Sequence, residues 1–329
     1  MIIKNSIKFL LYLLAFGTAL PFLLGFANDL HPLLDSFSHF RVHLLFILLP
    51  TLLLLAFFHE KRNTFVFLGL VALGSLYLYF VTEPFHANSI DKNKTHTLKH
   101  VQFNLNFRNQ HMEEFKDYLK ETKPDVVTLQ EVTPSHMKSL EELQYKSYAL
   151  NFSKNYPYVS REKGVYPYQV YCPFQAVGGV AILSKHPINE EKSVCLEGKG
   201  LLWSQILVEK QPINIVSIHT YWPYPYRQPE QIATIQEIFK HITPPTLIAG
   251  DFNAAAWSHS VKEIEKASKT KVVEGMRWSI ILAKQFSIIP NFKLAIDHVL
   301  LSKEFQVEKI FVEKSLGSDH FPIVSKIKY

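Results

Sequence analysis

The sequence predicts an α/β protein: a four-layer sandwich of two packed, mixed β-sheets flanked by helices, preceded by about three transmembrane helices. Three observations lead to this class. The first 82 residues carry few charges and hold three apolar stretches. After them, short apolar runs alternate with polar turns, with too few helical segments between for a strictly alternating parallel fold. Several of those runs end in a carboxylate, an amide or an imidazole.

The apolar stretches lie at roughly 9–26, 42–58 and 64–81. A helix needs about 20 apolar residues, within a range of ~17–25, to cross a bilayer. The first and third stretches meet that length. The second is shorter and holds Pro50, which membrane helices tolerate where neighbours satisfy the freed backbone. A cleaved secretory signal is the rival reading of the first stretch. Its length, the lack of a small-x-small site after it and the two stretches that follow argue against cleavage. Tyr12, Tyr77 and Tyr79 are weak interface anchors.

Orientation follows from the short loops. Lys4 and Lys8 precede the first stretch, and Lys61 and Arg62 lie in the HEKRN turn between the second and third. The positive-inside rule places the N-terminus and that turn in the cytoplasm. Three spans then carry the rest of the chain to the periplasmic or extracellular side. Lys92, Lys94 and Lys99 pull weakly the other way. The two cysteines, Cys172 and Cys195, do not decide the matter. An oxidising compartment allows a disulfide between them, and two buried thiols fit equally well.

Residues 83–98 read as a linker and 99–329 as the sandwich domain. Strands are expected at His100–Leu105, in PDVVTLQEV, at Gly178–Leu183, Leu201–Val208, Ile213–His219 and Thr246–Ala249, and finally at Leu294–Leu301 and Phe321–Ile327. Met112, Phe115, Tyr118 and Leu119 share one side of a helix over Met112–Glu121. Further helices are expected at His136–Leu143 and Glu230–His241. Tyr145–Phe174 is aromatic and irregular, and reads as a long loop bearing on the site. The domain's charge is mixed, with only a mild basic excess, too little to argue for nucleic acid.

The ends of the strands carry the chemistry. VQFNLN ends in Asn104 and Asn106, VVTLQE in Gln130 and Glu131, INIVSIH in His219, and TLIAGDFN in Asp251 and Asn253. Asp297 precedes the apolar VLL, and Ser318, Asp319 and His320 precede the last strand. Each residue alone is more simply a strand stop or a solvated end. Gathered on one rim, these groups repel or stay unsatisfied unless a cation or polar ligand joins them. Oxygen ligands favour a hard ion, Mg²⁺ or else Mn²⁺, over zinc.

The set NLN, LQEV, SIH, GDFN, IDHVL and GSDHFPIV resembles the endonuclease/exonuclease/phosphatase, or DNase I-like, superfamily over residues ~99–329. GDFN with AAAWS, and GGVAILSKHPI, resemble its bacterial membrane-anchored members. The resemblance implies metal-assisted cleavage of phosphodiester bonds. It implies Glu131 as the main metal ligand, Asn104 as its supporting amide and Asp319 as a second carboxylate near the metal. His219 and His320 would flank the scissile phosphate, Asp297 would orient His320, and Asp251 and Asn253 would serve the nucleophile and the phosphate. Asn106 stands where some DNA-repair members have an acid, which weakens a second metal position and the repair-nuclease reading.

The same roles make chemical sense directly. An imidazole held by a carboxylate, His320 with Asp297, suits a general base, and Asp251 is the rival base. Asn253 and His219 can donate to the non-bridging phosphate oxygens. Asn106, Tyr221, Trp222 and Ser318 are expected to touch substrate. The substrate is a phosphodiester, either nucleic acid or a phospholipid head group, and the aromatic YWPYPY run suits base stacking or a lipid interface. The membrane is an expected partner and no protein partner can be inferred. A catalytically dead scaffold is the alternative. The presence of every catalytic-type residue argues against it.

Overall fold

The computed structural model describes residues 2–58, 61–86, 91, 93–150, 158–175, 177–282 and 292–329. His59 and Glu60 of the expected cytoplasmic turn, residues 87–90 and 92 of the linker, and residues 151–157 of the aromatic segment lie outside that set.

The N-terminal region is helical: α1 (Ile2–Leu24), α2 (Pro32–Ser38), α3 (Arg41–Phe57) and α4 (Lys61–Thr82). Among the described residues two helices, Ile3–Ala27 and Thr64–Thr82, are long and apolar enough to cross a membrane. The number becomes three if α2 and α3, bent by 61° at the break between them, form one span. Leu45, Leu48, Leu52 and Leu55 of α3 are the core of this bundle, packed with Ala15 of α1. The outward faces stay apolar, with Phe9, Phe16, Phe57, Phe65 and Phe80 all exposed. A helix that is apolar all round suits a lipid environment rather than water.

The rest of the described chain alternates strands and helices in this order: β1 (Thr97–Asn104), α5 (Met112–Thr122), β2 (Val126–Val132), α6 (Pro134–Gln144), β3 (Tyr145–Leu150), β4 (Tyr158–Lys163), β5 (Tyr168–Gln175), β6 (Gly178–Ser184), β7 (Ile188–Leu196), β8 (Leu201–Val208), β9 (Gln211–His219), α7 (Gln228–Phe239), β10 (Thr246–Asp251), α8 (His259–Ser268), β11 (Lys271–Val272), β12 (Ile280–Ile281), β13 (Lys293–Leu294), β14 (Asp297–Leu301), β15 (Gln306–Val312) and β16 (Ile323–Lys328). One six-stranded sheet runs β15-β16-β1-β2-β6-β5, the other β11-β14-β10-β9-β8-β7. Both are mixed, with β1–β2 and β9–β10 parallel.

The layers follow from which face each residue presents. Leu98, Val126 and Ile182 from the first sheet meet Ile213, Ile215, Leu247 and Val299 from the second in one core. Successive residues of a strand point to opposite faces. Val101, Phe103 and Val127 therefore face outward, under Phe115 and Leu119 of α5 and Leu140 of α6. Val216, Ile218 and Ile248 likewise pack beneath α7 and α8. The expected four layers are present.

Two expectations are corrected. The segment Tyr145–Phe174 is not one long loop: it holds β3, β4 and most of β5, with β3 and β4 paired as a separate hairpin. The strand expected at Leu294–Leu301 is two, because β13 pairs with β12 while β14 joins the second sheet. Cys172 on β5 and Cys195 on β7 form a disulfide that ties together edge strands of the two sheets.

Candidate active site

Strand register gathers the rim. Asp251 pairs with His219 across β10–β9, and with Asp297 across β10–β14. Three strands thus place an imidazole and two carboxylates abreast. On the opposing sheet, Asn104 pairs with Gln130. Gly250 sets the closeness of β10 and β9, since a Cβ there would fall 1.9 Å from the Ile218 carbonyl oxygen.

Glu131 needs a distortion to reach the site. A regular strand alternates faces, so Glu131 would point away from its neighbour Gln130. Instead Glu131 adopts φ 54°, and the β2–β6 register shifts between Leu129 and Val132. Gly178, at φ 100°, lies against this bulge, where a Cβ would come within 2.8 Å of the Glu131 carbonyl carbon. The carboxylate then accepts from Asn104 Nδ2 at 3.2 Å and from the Phe107 amide at 2.9 Å. Asn106 (φ 57°) and Asn253 (φ 46°) are also left-handed. Three strained positions in one cleft are what functional sites accumulate.

Amides and carboxylates interlock across the two sheets. Asn104 Nδ2 also donates to Asp251 Oδ2 at 3.0 Å. Asn106 Nδ2 donates to Asp319 Oδ1 at 2.8 Å. Gln102 Nε2 donates to Asp297 Oδ1 and to Gln130 Oε1, both at 2.8 Å, and Gln130 Nε2 donates to Ser217 Oγ at 3.0 Å. Asp297 Oδ2 meets His320 Nδ1 at 2.8 Å. The Nε2 atoms of His219 and His320 stand 3.6 Å and 3.7 Å from Asp251 Oδ2.

These contacts set the charges. Burial pushes the Asp251 carboxyl up, and the neighbouring charge of Asp297 adds to it, to about 8. Burial alone would pull His320 down. The charge of Asp297 and its hydrogen bond, with Asp251 and Asp319, outweigh it and hold the imidazole at about 10. Burial pulls His219 below its ordinary value, and among the described residues its buried Nδ1 has no partner.

The expected site residues converge unevenly. Asn104, Glu131, His219, Asp251, Asp297, Asp319 and His320 share the network above. Asn253 is anchored beside them, its amide nitrogen donating to the Thr220 carbonyl at 2.8 Å and its backbone to Asp251 Oδ1 at 2.8 Å. Ser318 uses its hydroxyl locally, donating to the Asn104 carbonyl and accepting from the His320 amide. Tyr221 joins the cleft wall through Phe174, which also meets His219 edge to face. Trp222 is exposed. Gln102 was not anticipated, although it lies two residues before Asn104 on the same face of β1.

The contacts that α2 and the residue after it make with the sandwich were not anticipated either. Asp35, buried on α2, accepts from the backbone of His259 and Ser260 at the start of α8, at 2.8 Å and 3.1 Å. His39 Nδ1 accepts from the Ala255 amide at 3.0 Å, and Trp257 Nε1 donates to the Ser38 carbonyl at 2.7 Å. The segment just after Asp251 and Asn253 is therefore tethered to the N-terminal helices.

Two packed mixed sheets between helices, with acids, amides and imidazoles on one rim, define a DNase I-like α/β sandwich. The Endonuclease/Exonuclease/phosphatase family model matches residues 101–320, and the chain belongs to that family. Its members are generally hydrolases of phosphodiester bonds. An endonuclease/exonuclease/phosphatase from Bacteroides vulgatus is similar in structure, with 14% identity and a TM-score of 0.51, covering 71% of this chain and 99% of that one. A functionally unknown conserved protein from Enterococcus faecalis V583 gives 15% identity and a TM-score of 0.50, covering 70% of this chain and 99% of its own. A Staphylococcus aureus beta toxin variant with bound magnesium ions gives 16% and 0.48, covering 70% of this chain and 99% of that one. No curated protein sequence matches.

Proposed function

We propose that the protein is a membrane-anchored, divalent-metal-dependent phosphodiesterase whose catalytic domain lies on the periplasmic or extracellular side. The observation that carries this reading is the placement of Asp251 opposite two imidazoles, one of them held by Asp297. The disulfide supports the oxidising compartment.

The donor set fits a hard cation. Asp251, Asp297 and His320 offer ligand atoms within 4.8 Å of one another. Asp297, however, is fully buried, with its oxygens bonded to Gln102 and His320. Glu131 and Asp319 are half-buried and can meet a cation arriving from solvent, so they are the acids we assign to Mg²⁺ or Mn²⁺, with Asn104 holding Glu131 in place. A cation bound there neutralises charge on the phosphate.

The chain's own groups supply the rest. Asp251, whose raised carboxyl titrates at about 8, stands beside both imidazoles and in its ionised form is placed to take a proton from the attacking water. His320 stays protonated at neutral pH and faces the same point as a cation, which favours charge stabilisation over the base role. Asn253 keeps a second N–H for a phosphate oxygen.

Between nucleic acid and a phospholipid head group, one observation favours the lipid. Trp222, Tyr224 and Tyr226 are exposed, and Tyr224 packs on His31 of the loop after α1, so these aromatics lie beside the membrane region. The test uses full-length protein in detergent with bis-p-nitrophenyl phosphate, DNA, RNA and phospholipid vesicles. Hydrolysis that needs Mg²⁺ or Mn²⁺ and disappears in Asp251→Asn is expected. A folded sample that cleaves none of them leaves only the scaffold alternative.

A further inference from the structure

The seam between the N-terminal helices and the sandwich concentrates unsatisfied nitrogen. Arg41, at the start of α3, and Arg277, in the stretch before β12, are 6% and 7% exposed. Among the described residues neither has a carboxylate partner. Arg41 bonds the Gly25 carbonyl and lies over the Phe26 ring. Arg277 donates to the carbonyls of Glu274 (2.8 Å) and Val273 (2.5 Å). Among the described residues the Nε of each is buried with no acceptor, as is His39 Nε2, whose ring takes the Ala255 amide at Nδ1. A buried guanidinium without a counter-ion is costly, and the unpartnered Nε of Arg277, which lines a cavity, calls for an acceptor there.

Beside Arg277 lies a cavity of about 230 Å³. Its wall includes Val81, Trp257, Met276 and His298. Val81 is the second-last residue of α4, so on the membrane reading the cavity sits at the depth of the lipid head groups. Trp257 fits such a boundary. Burial pulls Arg277 down to about 10, which leaves it charged at neutral pH, while burial keeps His298 neutral, at about 4. Glu274, the only acid on the wall among the described residues, is exposed and makes no ion pair with Arg277.

We infer that this cavity binds the phosphate of an anionic phospholipid from the leaflet on the catalytic-domain side, with Arg277 as its cationic ligand. The site is separate from the rim. It rests on the membrane placement proposed above and not on the hydrolase reading. An occupied cavity would brace the seam next to β14, where His298 follows Asp297.

Thermal unfolding of the full-length protein in detergent, titrated with phosphatidylglycerol, phosphatidylcholine or inorganic phosphate, tests this. Phosphatidylglycerol should raise Tm saturably, by about 5–10 °C once well above its dissociation constant. Phosphatidylcholine and inorganic phosphate should not. Arg277→Gln should remove the shift, and Lys314→Gln, at an exposed lysine, should keep it. Should Arg277→Gln fail to fold, Val81→Trp, which fills the cavity without touching the arginine, should abolish the shift and preserve Tm in phosphatidylcholine. An equal shift with phosphatidylcholine or with inorganic phosphate, or one that survives Arg277→Gln or Val81→Trp, overturns the assignment. None of these readings depends on hydrolysis, so loss of the catalytic proposal would leave them intact.

Discussion

At one end of the space between the sheets the side chains are Leu98, Val126, Ile213, Ile215, Leu247 and Leu301. A few residues along the same strands, on the same faces, they are Gln102, Asn104, Gln130, Ser217, His219, Asp251 and Asp297. All of the second group are buried. β1 passes from Leu98 through His100 and Gln102 to Asn104; β10 passes from Leu247 through Ala249 to Asp251. The aliphatic end is held by area removed from water, which is not directional. The polar end is held by directed bonds in low dielectric, where a missing partner costs more than a bond gains. Stability and chemistry are therefore separated along the strands, and substitutions at the two ends should fail differently.

The largest effect is expected at the polar end. Asp297→Asn keeps the size of the side chain and removes the charge that holds His320. It should lower the rate by ~10²–10³-fold, the range for losing one preorganised stabilising group at the phosphate, with cooperative unfolding retained. Steady-state hydrolysis, read beside a calorimetric trace, checks both halves. Near-normal turnover would mean that the Asp297–His320 contact is structural. The next largest effect belongs to the aliphatic end. Ile215→Ala should cost ~2–5 kcal/mol of stability, seen as a lower denaturation midpoint, while turnover per folded molecule stays unchanged. If turnover falls in parallel, the two ends are not separable.

The same division explains what the sequence disclosed. Hydrophobic runs such as GGVAIL and TLIAG announce buried strands because burial is a property of composition, and their polar ends announce the rim. Asp251, His219, Asp297 and His320 could be named for that reason. Edge strands were harder. β7 (INEEKSVCL) and β15 (QVEKIFV) are half solvated, so charges dilute their pattern. Helix α8 hides behind the GDFN motif, and its start is fixed by Ser258 and by Asp35, more than 200 positions away. Gln102 looked like an ordinary polar residue inside a strand, since its partners Gln130 and Asp297 come from elsewhere in the chain. The αL turn at Glu131 has no local signature except Gly178, which lies on a different strand.

The smallest effect separates the two ends by pH. Asp251 keeps its proton up to about 8 when folded, against 3.8 ordinarily, because burial and the charge of Asp297 oppose ionisation. His320 keeps its proton to about 10 against 6.5: burial opposes this, but Asp297 and the other acids prevail. Across both windows the folded state holds protons that the unfolded chain has released, so stability falls as pH rises. The contribution of His320 is whole below 6.5 and lost through about 10. Metal-free full-length protein, scanned by calorimetry in a chelator, should therefore show a Tm that declines from pH 6.5 to about pH 9.5. Asp251→Asn removes the acid's share and one of the charges holding up His320, so its decline should be shallower. Ile215→Ala touches no titrating group and should lower the whole curve without changing its slope. An Asp251→Asn curve parallel to wild type would show that the rim charges are not coupled as their spacing requires. A changed slope in Ile215→Ala would show that the aliphatic end is not electrostatically silent.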